Sequence, residues 1–173
     1  MAGKELLWDL SKVDFDNPMA DIEQIRRINP QRYAMEQLTA IAYESMEERV
    51  CIGFKDLTHD EFWVSGHMPN MPLMPGVMML EAAAQVCAYF AQHNDALGAK
   101  MIGFGGLERV RFRDPVIPGD RLILICKMVR VRRNRIIVSE FQGVVGDSIV
   151  VEGCLKGIPI PVDMLAEQLK DAE

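Results

Sequence analysis

The chain has 173 residues, of which 49% are hydrophobic and 25% charged, and its formal net charge is −6. This length and composition suit one globular domain with a sizeable core. The acidic balance argues against a nucleic-acid surface, which relies on clustered Lys and Arg, and no apolar run without polar breaks is long enough to span a membrane.

The first residues and the cysteines bear on the cellular compartment. Lys4, Glu5 and Asp9 interrupt the segment in which a secretory signal needs an apolar core, so no such signal is expected. The four cysteines form no CxxC or CxxH pair, which predicts reduced, buried thiols rather than a metal site: Cys51, Cys87, Cys126 and Cys154. We therefore expect a cytoplasmic protein without a bound metal.

The first half of the chain is predicted to contain an extension, a short helix and two strands. Residues 1–29 form the predicted N-terminal extension, with an amphipathic helix over Met19–Ile28 after a cap at Asn17 and Pro18. Residues 30–173 form the predicted single domain. Its first strands are expected over 40–47 and 49–58.

A Pro/Gly-rich loop then leads to an apolar helix, predicted from Pro75 to Gln92. The remainder is predicted to be mostly β-structure, with Gly146–Asp147 as a hairpin turn and a short polar helix over residues 162–173. A helix that is apolar on nearly every face must be covered on nearly every face. One such helix among about six strands therefore predicts an α+β domain, in which a curved antiparallel sheet wraps around a central helix.

The start of the central helix has the features of an anion-binding site. Pro75 fits a first helical turn, and Gly76 and Val77 would present unpaired backbone N–H groups where the helix dipole favours negative charge. Glycine also lets a substrate carbonyl approach closely. An ordinary proline-capped helix start is the alternative interpretation.

Glu81 is a carboxylate inside the apolar helix. Burying an ionised carboxylate without a partner is costly, and a neutral carboxylic acid is what a general acid requires. Gln85 is four residues further on the same helix face and is predicted to hold the carboxyl group by a hydrogen bond. The alternative is a structural carboxylate that a backbone group or an arginine satisfies.

His67 precedes this helix in the loop and is one of three histidines in the chain. An imidazole titrates near neutrality and can act as a base. The prolines between His67 and Glu81 exclude a shared helix face. The two side chains can meet only if the loop folds back or if they belong to different subunits.

Two ordered motifs carry a family resemblance over about residues 24–160. Residues 66–77, GHMPNMPLMPGV, with Glu81 fourteen positions after His67, resemble the active-site segment of the bacterial 3-hydroxyacyl-acyl-carrier-protein dehydratases. Residues 109–122, RVRFRDPVIPGDRL, resemble the family's Arg-Phe-Arg-x-Pro-Val-x-Pro-Gly-Asp segment. The closer similarity is to the branch without isomerase activity, which acts in fatty acid biosynthesis.

The resemblance implies a hot-dog fold and dehydration of a 3-hydroxyacyl thioester to a trans-2-enoyl thioester. It assigns His67 as the base for the α-proton, Glu81 as the acid for the leaving hydroxyl and the Gly76 N–H as the donor to the thioester carbonyl. Val77 and Gln85 would support them. A hot-dog thioesterase and a non-catalytic acyl-binding partner subunit are the alternatives.

The resemblance also implies partners. His67 and Glu81 of one site would come from different subunits, so a homodimer would be the minimal active unit, with a hexamer of three dimers as a further expectation. The acyl chain would arrive on the phosphopantetheine of the acyl carrier protein, and no metal or dissociable cofactor is expected.

Two residue sets have competing interpretations. Arg109, Arg111 and Arg113 stand at strand spacing, so they would share one face and either dock an acidic carrier protein or protect a solvated edge strand. Five methionines could line an apolar acyl tunnel or pack in the core: Met68, Met71, Met74, Met78 and Met79.

The chain also differs from the dehydratase pattern at several positions. Those that bear on substrate choice are Gln31 for a histidine, Met68 and Asn70 for phenylalanine and glycine, and Ile102 and Gly103 for tunnel-gating tyrosines. Chain-length preference, the lipid pathway and the final oligomer size stay open on the sequence alone.

Overall fold

The computed structural model describes residues 5–163, 166 and 167. In this part of the chain, the segments with alternating or valine-rich patterns form six strands in one antiparallel sheet. The strand order is β1-β2-β4-β5-β6-β3. Their bounds are β1 Ala40–Ser45, β2 Val50–Asp56, β3 Ile102–Phe112, β4 Arg121–Arg132, β5 Ile136–Val145 and β6 Ser148–Pro159. Within the described residues, the expected number of about six strands is confirmed, and β1 and β2 fall within the predicted spans 40–47 and 49–58.

The predicted central helix is present as α2, Gly76–His93. It contacts β2, β3, β4, β5 and β6, so the sheet surrounds it on most sides. Its buried side chains include Met79, Ala83, Val86 and Phe90, which pack into the main core. The α+β prediction and the hot-dog arrangement of sheet around helix are therefore confirmed.

Short turns set the order of the strands. Val145 pairs with Ser148, so Gly146 and Asp147 form a two-residue hairpin turn, and Gly146 has a φ of 56°, which glycine adopts without strain. Antiparallel pairing of β4 with β5 and of β5 with β6 follows from these local connections. The C-terminal helix predicted over 162–173 falls mostly outside the described residues.

The described part of the extension contains a 3-10 turn, Leu10–Lys12, and a short α-helix, α1 (Ile22–Arg26), whose start differs from the prediction. Asp21, not Asn17, caps α1, because Asp21 and Gln24 form a reciprocal capping box. Asn17 instead donates its side-chain amide to Asp14 at 2.9 Å, which stabilises the turn before α1. The predicted cap at Asn17 is therefore wrong.

The extension also covers the outer face of the sheet. Trp8 stacks on Tyr43 with ring centroids 5.8 Å apart, and Phe15 meets Phe54 edge to face. Gln142 on β5 accepts a hydrogen bond from the backbone N–H of Leu7 at 2.8 Å. The outer face is thus buried by the chain itself, and the inner face is left to α2.

Candidate active site

Glu81 is held by two side-chain amides. Its Oε1 atom accepts hydrogen bonds from Nε2 of Gln85 at 2.8 Å and from Nε2 of Gln31 at 3.3 Å. The contact with Gln85 is the one predicted from their spacing on the helix. Both donors converge on Oε1, and within the described residues Oε2 accepts no hydrogen bond from a side chain.

The orientation of the Gln85 amide is determined by its other partners. Its Oε1 accepts from the backbone N–H of Gln37 at 2.9 Å, and its Nε2 also donates to the carbonyl of Met35 at 2.7 Å. A backbone N–H only donates and a carbonyl only accepts, so the Gln85 amide group must face Glu81 with its N–H. Gln85 can therefore only donate to the carboxyl group.

Gln31 is a site residue whose role the sequence did not reveal. It was visible only as a departure from the family pattern, where a histidine is usual. In the fold it comes from the loop after α1, fifty residues before Glu81, and donates to the same oxygen as Gln85. An amide does not titrate, so this donor is present at every pH at which the protein is folded.

An apolar cavity of about 340 Å³ begins at Glu81 and Gln31. The helix contributes small side chains to its wall at Ala84, Ala88 and Ala91. Strands β3, β5 and β6 supply the opposite side, including Ile102, Gly103, Ile137, Leu155 and Gly157. A carboxyl group at the polar end of an apolar cavity suits a ligand with one polar reacting centre and a hydrocarbon tail.

His67 lies in the loop between β2 and α2. Its Nδ1 lies 2.9 Å from the carbonyl oxygen of Leu73, and its backbone N–H donates to Trp63 at 2.8 Å. A carbonyl only accepts, so Nδ1 carries the hydrogen and Nε2 keeps a lone pair that can take a proton. Within one chain, His67 does not line the cavity that Glu81 enters.

The helix start combines free donors with a close packing contact. Within the described residues, the backbone N–H groups of Gly76 and Val77 have no acceptor, as is usual in a first helical turn. The ring of Phe112 packs against Gly76, and a Cβ atom at Gly76 would lie only 2.8 Å from it. A larger residue at this position would therefore crowd the Phe112 ring.

The five methionines do not form the wall of the Glu81 cavity. Met74, Met78 and Met79 are buried in the core, whereas Met68 and Met71 are 45% and 58% exposed on the loop. Core packing was the alternative interpretation for this set, and it holds for the three buried members. The cavity is lined instead by the alanines of α2 and by Met101.

Two departures from the dehydratase pattern have a structural explanation. Asn70 has a φ of 63°, a left-handed conformation that glycine and asparagine both tolerate, so asparagine can replace the usual glycine. Gly103 lies under the side chain of Ile160, where a tyrosine would not fit. Ile102 and Gly103 both line the cavity, so its shape differs from one with tyrosines at these positions.

Of the three predicted docking arginines, Arg109 and Arg111 lie on β3 and Arg113 follows it directly. Strand β3 is an edge strand, as the alternative interpretation proposed. A bulge between Glu108 and Arg111 breaks the regular alternation, and Arg109 has a φ of 54°. Arg109 pairs with Glu140 at 3.3 Å and Arg113 pairs with Glu152. Carboxylates thus offset part of the positive charge, while Arg111 is exposed.

All four cysteines have free thiols. Burial raises the pKa of the Cys51 and Cys126 thiols well above the usual range, so both are protonated at neutral pH. Within residues 5–163, 166 and 167, no three His, Cys, Asp or Glu side chains are grouped as metal ligands would be.

Comparison with known proteins identifies the family. The model of the FabA-like domain matches residues 29–154. The chain belongs to this family. A FabZ 3-hydroxyacyl-[acyl-carrier-protein] dehydratase from Desulfotalea psychrophila is 39% identical over 134 residues, which are 76% of this chain and 88% of that one. A FabZ dehydratase from Streptococcus equi subsp. zooepidemicus is 34% identical over 79% of this chain and 96% of its own.

Comparison with solved structures also supports the hot-dog fold of this FabA-like chain. The dehydratase heterocomplex ApeI:P from Xenorhabdus doucetiae superimposes with a TM-score of 0.69 at 15% identity, over 84% of this chain and 96% of that one. A sigma28-regulated virulence protein from Campylobacter jejuni gives a TM-score of 0.58 at 16% identity, over 82% and 93%. No helix in the described part of the FabA-like chain is long and apolar enough to cross a membrane.

Proposed function

We propose that this FabA-like protein dehydrates 3-hydroxyacyl-[acyl-carrier-protein] to trans-2-enoyl-[acyl-carrier-protein] in fatty acid biosynthesis. The observation that carries the proposal is Glu81, whose carboxyl group is held by Gln85 and Gln31 at the polar end of an apolar cavity. The FabZ relatives act on the same substrate class.

The elimination needs a base, an acid and a donor to the thioester oxygen. Nε2 of His67 removes the α-proton, and the charge that develops on the thioester oxygen is stabilised by the Gly76 N–H at the positive end of α2. Oε2 of Glu81 protonates the departing 3-hydroxyl group, which leaves as water. Loss of one such oxyanion donor typically lowers the rate about 10²–10³-fold.

A homodimer that joins His67 of one subunit to Glu81 of the other is part of this proposal. It is supported by the position of His67 outside the cavity that Glu81 enters. It is also supported by β3, an edge strand that leaves Phe104, Leu107 and Phe112 exposed by 48%, 37% and 52%. An apolar edge strand favours pairing with a second chain. A hexamer of three such dimers is compatible with the proposal.

The substrate would arrive on the phosphopantetheine arm of the carrier protein, with no metal or dissociable cofactor. The exposed Arg111 and its neighbours Arg109 and Arg113 are the proposed docking residues, although Glu140 and Glu152 offset part of their charge. A cytoplasmic site of action is supported by the free thiols, since a reducing compartment keeps cysteines unpaired.

The first experiment measures dehydration of a 3-hydroxybutyryl thioester by the purified protein and by the His67→Ala and Glu81→Gln variants. Each variant should lose at least about 10³-fold in kcat, because a positioned acid or base and its partner act together. Release of a free thiol without enoyl formation would identify a thioesterase instead. Retention of activity by both variants would refute the assignment of His67 and Glu81.

The second experiment tests whether one site uses two subunits. The His67→Ala and Glu81→Gln chains are denatured together, refolded as a mixture and assayed. In a mixed dimer one of the two sites keeps both residues, so the mixture should recover about a quarter of wild-type activity. Each variant refolded alone is the control, and no recovery in the mixture would place His67 and Glu81 in the same subunit.

A further inference from the structure

The cavity that begins at Glu81 has a direction, which follows from the run of β3 along α2. Phe112, at the end of β3, packs on Gly76 at the start of α2. At the other end, Gln92 of α2 donates to the carbonyl of Lys100, just before β3 begins. Strand β3 is therefore antiparallel to α2, and the cavity extends from Glu81 toward the residues around Met101.

The length of the cavity can be judged from the helix that forms its wall. Ala84, Ala88 and Ala91 follow Glu81 on one side of α2 and all line the cavity. Ala91 is ten positions after Glu81, which corresponds to a rise of about 15 Å along the axis of α2. Small side chains along this length leave room for an extended hydrocarbon chain, with its reacting carbon at Glu81.

Ile160 lies across the far part of this cavity. Its backbone N–H donates to the carbonyl of Met101 at 3.0 Å, which places it beside the start of β3. Its side chain lies on Gly103, because a Cβ atom built there would be 2.1 Å from Cδ1 of Ile160. Glycine at position 103 is what allows Ile160 to occupy this place, and both residues line the cavity.

We propose that Ile160, seated on Gly103, ends the cavity that starts at Glu81 and thereby limits the length of the acyl chain that binds. The proposal rests on the proposed function for the class of ligand, an acyl thioester. In an apolar pocket, one methylene too many or too few changes discrimination by roughly 10-fold or more. A single side chain at the end of the cavity can therefore set a sharp limit.

The test compares a substitution that enlarges the end of the cavity with one that fills it, and adds a matched control. Ile160→Ala removes three carbons from the wall and should move the optimum to longer chains, whereas Ile160→Phe should move it to shorter ones. Ile158→Ala is the control, because Ile158 lies on the same segment over Gly105 and does not line the cavity. The Ile158→Ala variant should leave the order of preference among acyl chain lengths unchanged.

The measurement is kcat/KM for pantetheine thioesters of 3-hydroxyacyl chains from butanoyl to hexadecanoyl. We expect Ile160→Ala to gain about 10-fold or more, relative to wild type, on the first chain beyond the wild-type limit. An unchanged order of preference in both Ile160 variants, with or without a uniform loss of activity, would overturn the proposal. An equal shift in Ile158→Ala would do the same.

A binding measurement separates this proposal from the proposed function. The affinities of saturated acyl-pantetheine thioesters of the same lengths are measured by calorimetry, which requires no turnover. If the wild type fails to dehydrate any substrate but the preferred length still shifts with residue 160, the dehydratase assignment fails and the role of Ile160 stands. If turnover is normal and the preferred length does not move, only the role of Ile160 is rejected.

Discussion

The two halves of the proposed site, the acid Glu81 and the base His67, are held in different ways. On the acid side, Glu81 is fixed by Gln85, which is 2% exposed and makes three further hydrogen bonds to the segment 29–37. On the base side, His67 is held by loop contacts to Leu73 and Trp63, and its neighbours Met68 and Met71 are exposed.

In the proposed mechanism, the acid half of the site is thus tied to the core of one chain, whereas the base half is held only by its own loop. The hydrogen bonds of Gln85 serve the fold and the carboxyl group together, so stability and activity are coupled there. The contacts of His67 are local to its loop, and they hold the imidazole without joining it to the core. Substitutions in the two halves should therefore affect stability differently.

The largest expected effect comes from Gln85→Met. This change leaves the N–H of Gln37 and the carbonyl of Met35 without their partners, and it should lower the free energy of unfolding by about 3 kcal/mol as well as the activity. His67→Ala should abolish activity but cost about 1 kcal/mol or less. Chemical denaturation and the dehydration assay measure the two quantities.

The matched control for Gln85→Met is Gln142→Met, which removes buried hydrogen bonds to the extension on the outer face of the sheet. It should lower stability while leaving kcat close to wild type. If His67→Ala destabilised the protein as much as Gln85→Met, the contrast between the two halves would be lost.

An intermediate effect is expected at the helix start, where Gly76 packs against Phe112 and is the proposed donor to the thioester. Gly76→Ala places a methyl group 2.8 Å from the Phe112 ring and should cost about 1 kcal/mol of stability, the low end for overpacking, because the ring is half exposed. The double variant Gly76→Ala, Phe112→Leu relieves this contact and should recover most of the stability. Denaturation and kcat are measured for both variants and for Phe112→Leu alone.

The outcome separates the two reasons for glycine. If activity stays low after stability recovers, the methyl group blocks the backbone N–H that the thioester needs. If activity returns with stability, Gly76 matters for packing, and its assignment as the thioester donor fails.

The smallest expected effect lies in the segment that carries Gln31. Nε of Arg26 lies 2.6 Å from Oε1 of Glu36 in an ion pair, and the hydrogen bond between them lowers the pKa of the Glu36 carboxyl group. A lowered pKa stabilises the fold above the ordinary carboxyl pKa, and the contribution is lost as the pH falls through the lowered value.

Glu36→Gln should therefore lower the melting temperature at pH 7 by no more than about 3 °C, with the difference from wild type disappearing in acid. Thermal denaturation from neutral to acidic pH measures it. A difference that grows as the pH falls would contradict the assigned direction. Glu23→Gln, at the more exposed partner of Arg26, is the control and should show a smaller change.

Much of the fold followed from local patterns. The apolar run after Pro75 predicted α2, Gly146–Asp147 predicted the β5–β6 turn, and the spacing of Glu81 and Gln85 predicted their hydrogen bond. The cap of α1 was predicted at Asn17 and lies at Asp21, because Asp21 forms a capping box with Gln24 whereas Asn17 bonds to Asp14. The bulge at Arg109 had no signal in the spacing of the arginines.

The sequence by itself determined the elements and the identity of the candidate acid and base, because helix and strand periodicity, turns and ordered motifs depend on residues close together in the chain. Only the tertiary structure decided that Gln31 reaches Glu81, that the alanines of α2 rather than the five predicted methionines line the cavity, and that Ile160 lies on Gly103. These contacts join segments dozens of residues apart. They depend on the register of β3 against β6 and on the packing of α2 inside the sheet, which no local pattern encodes.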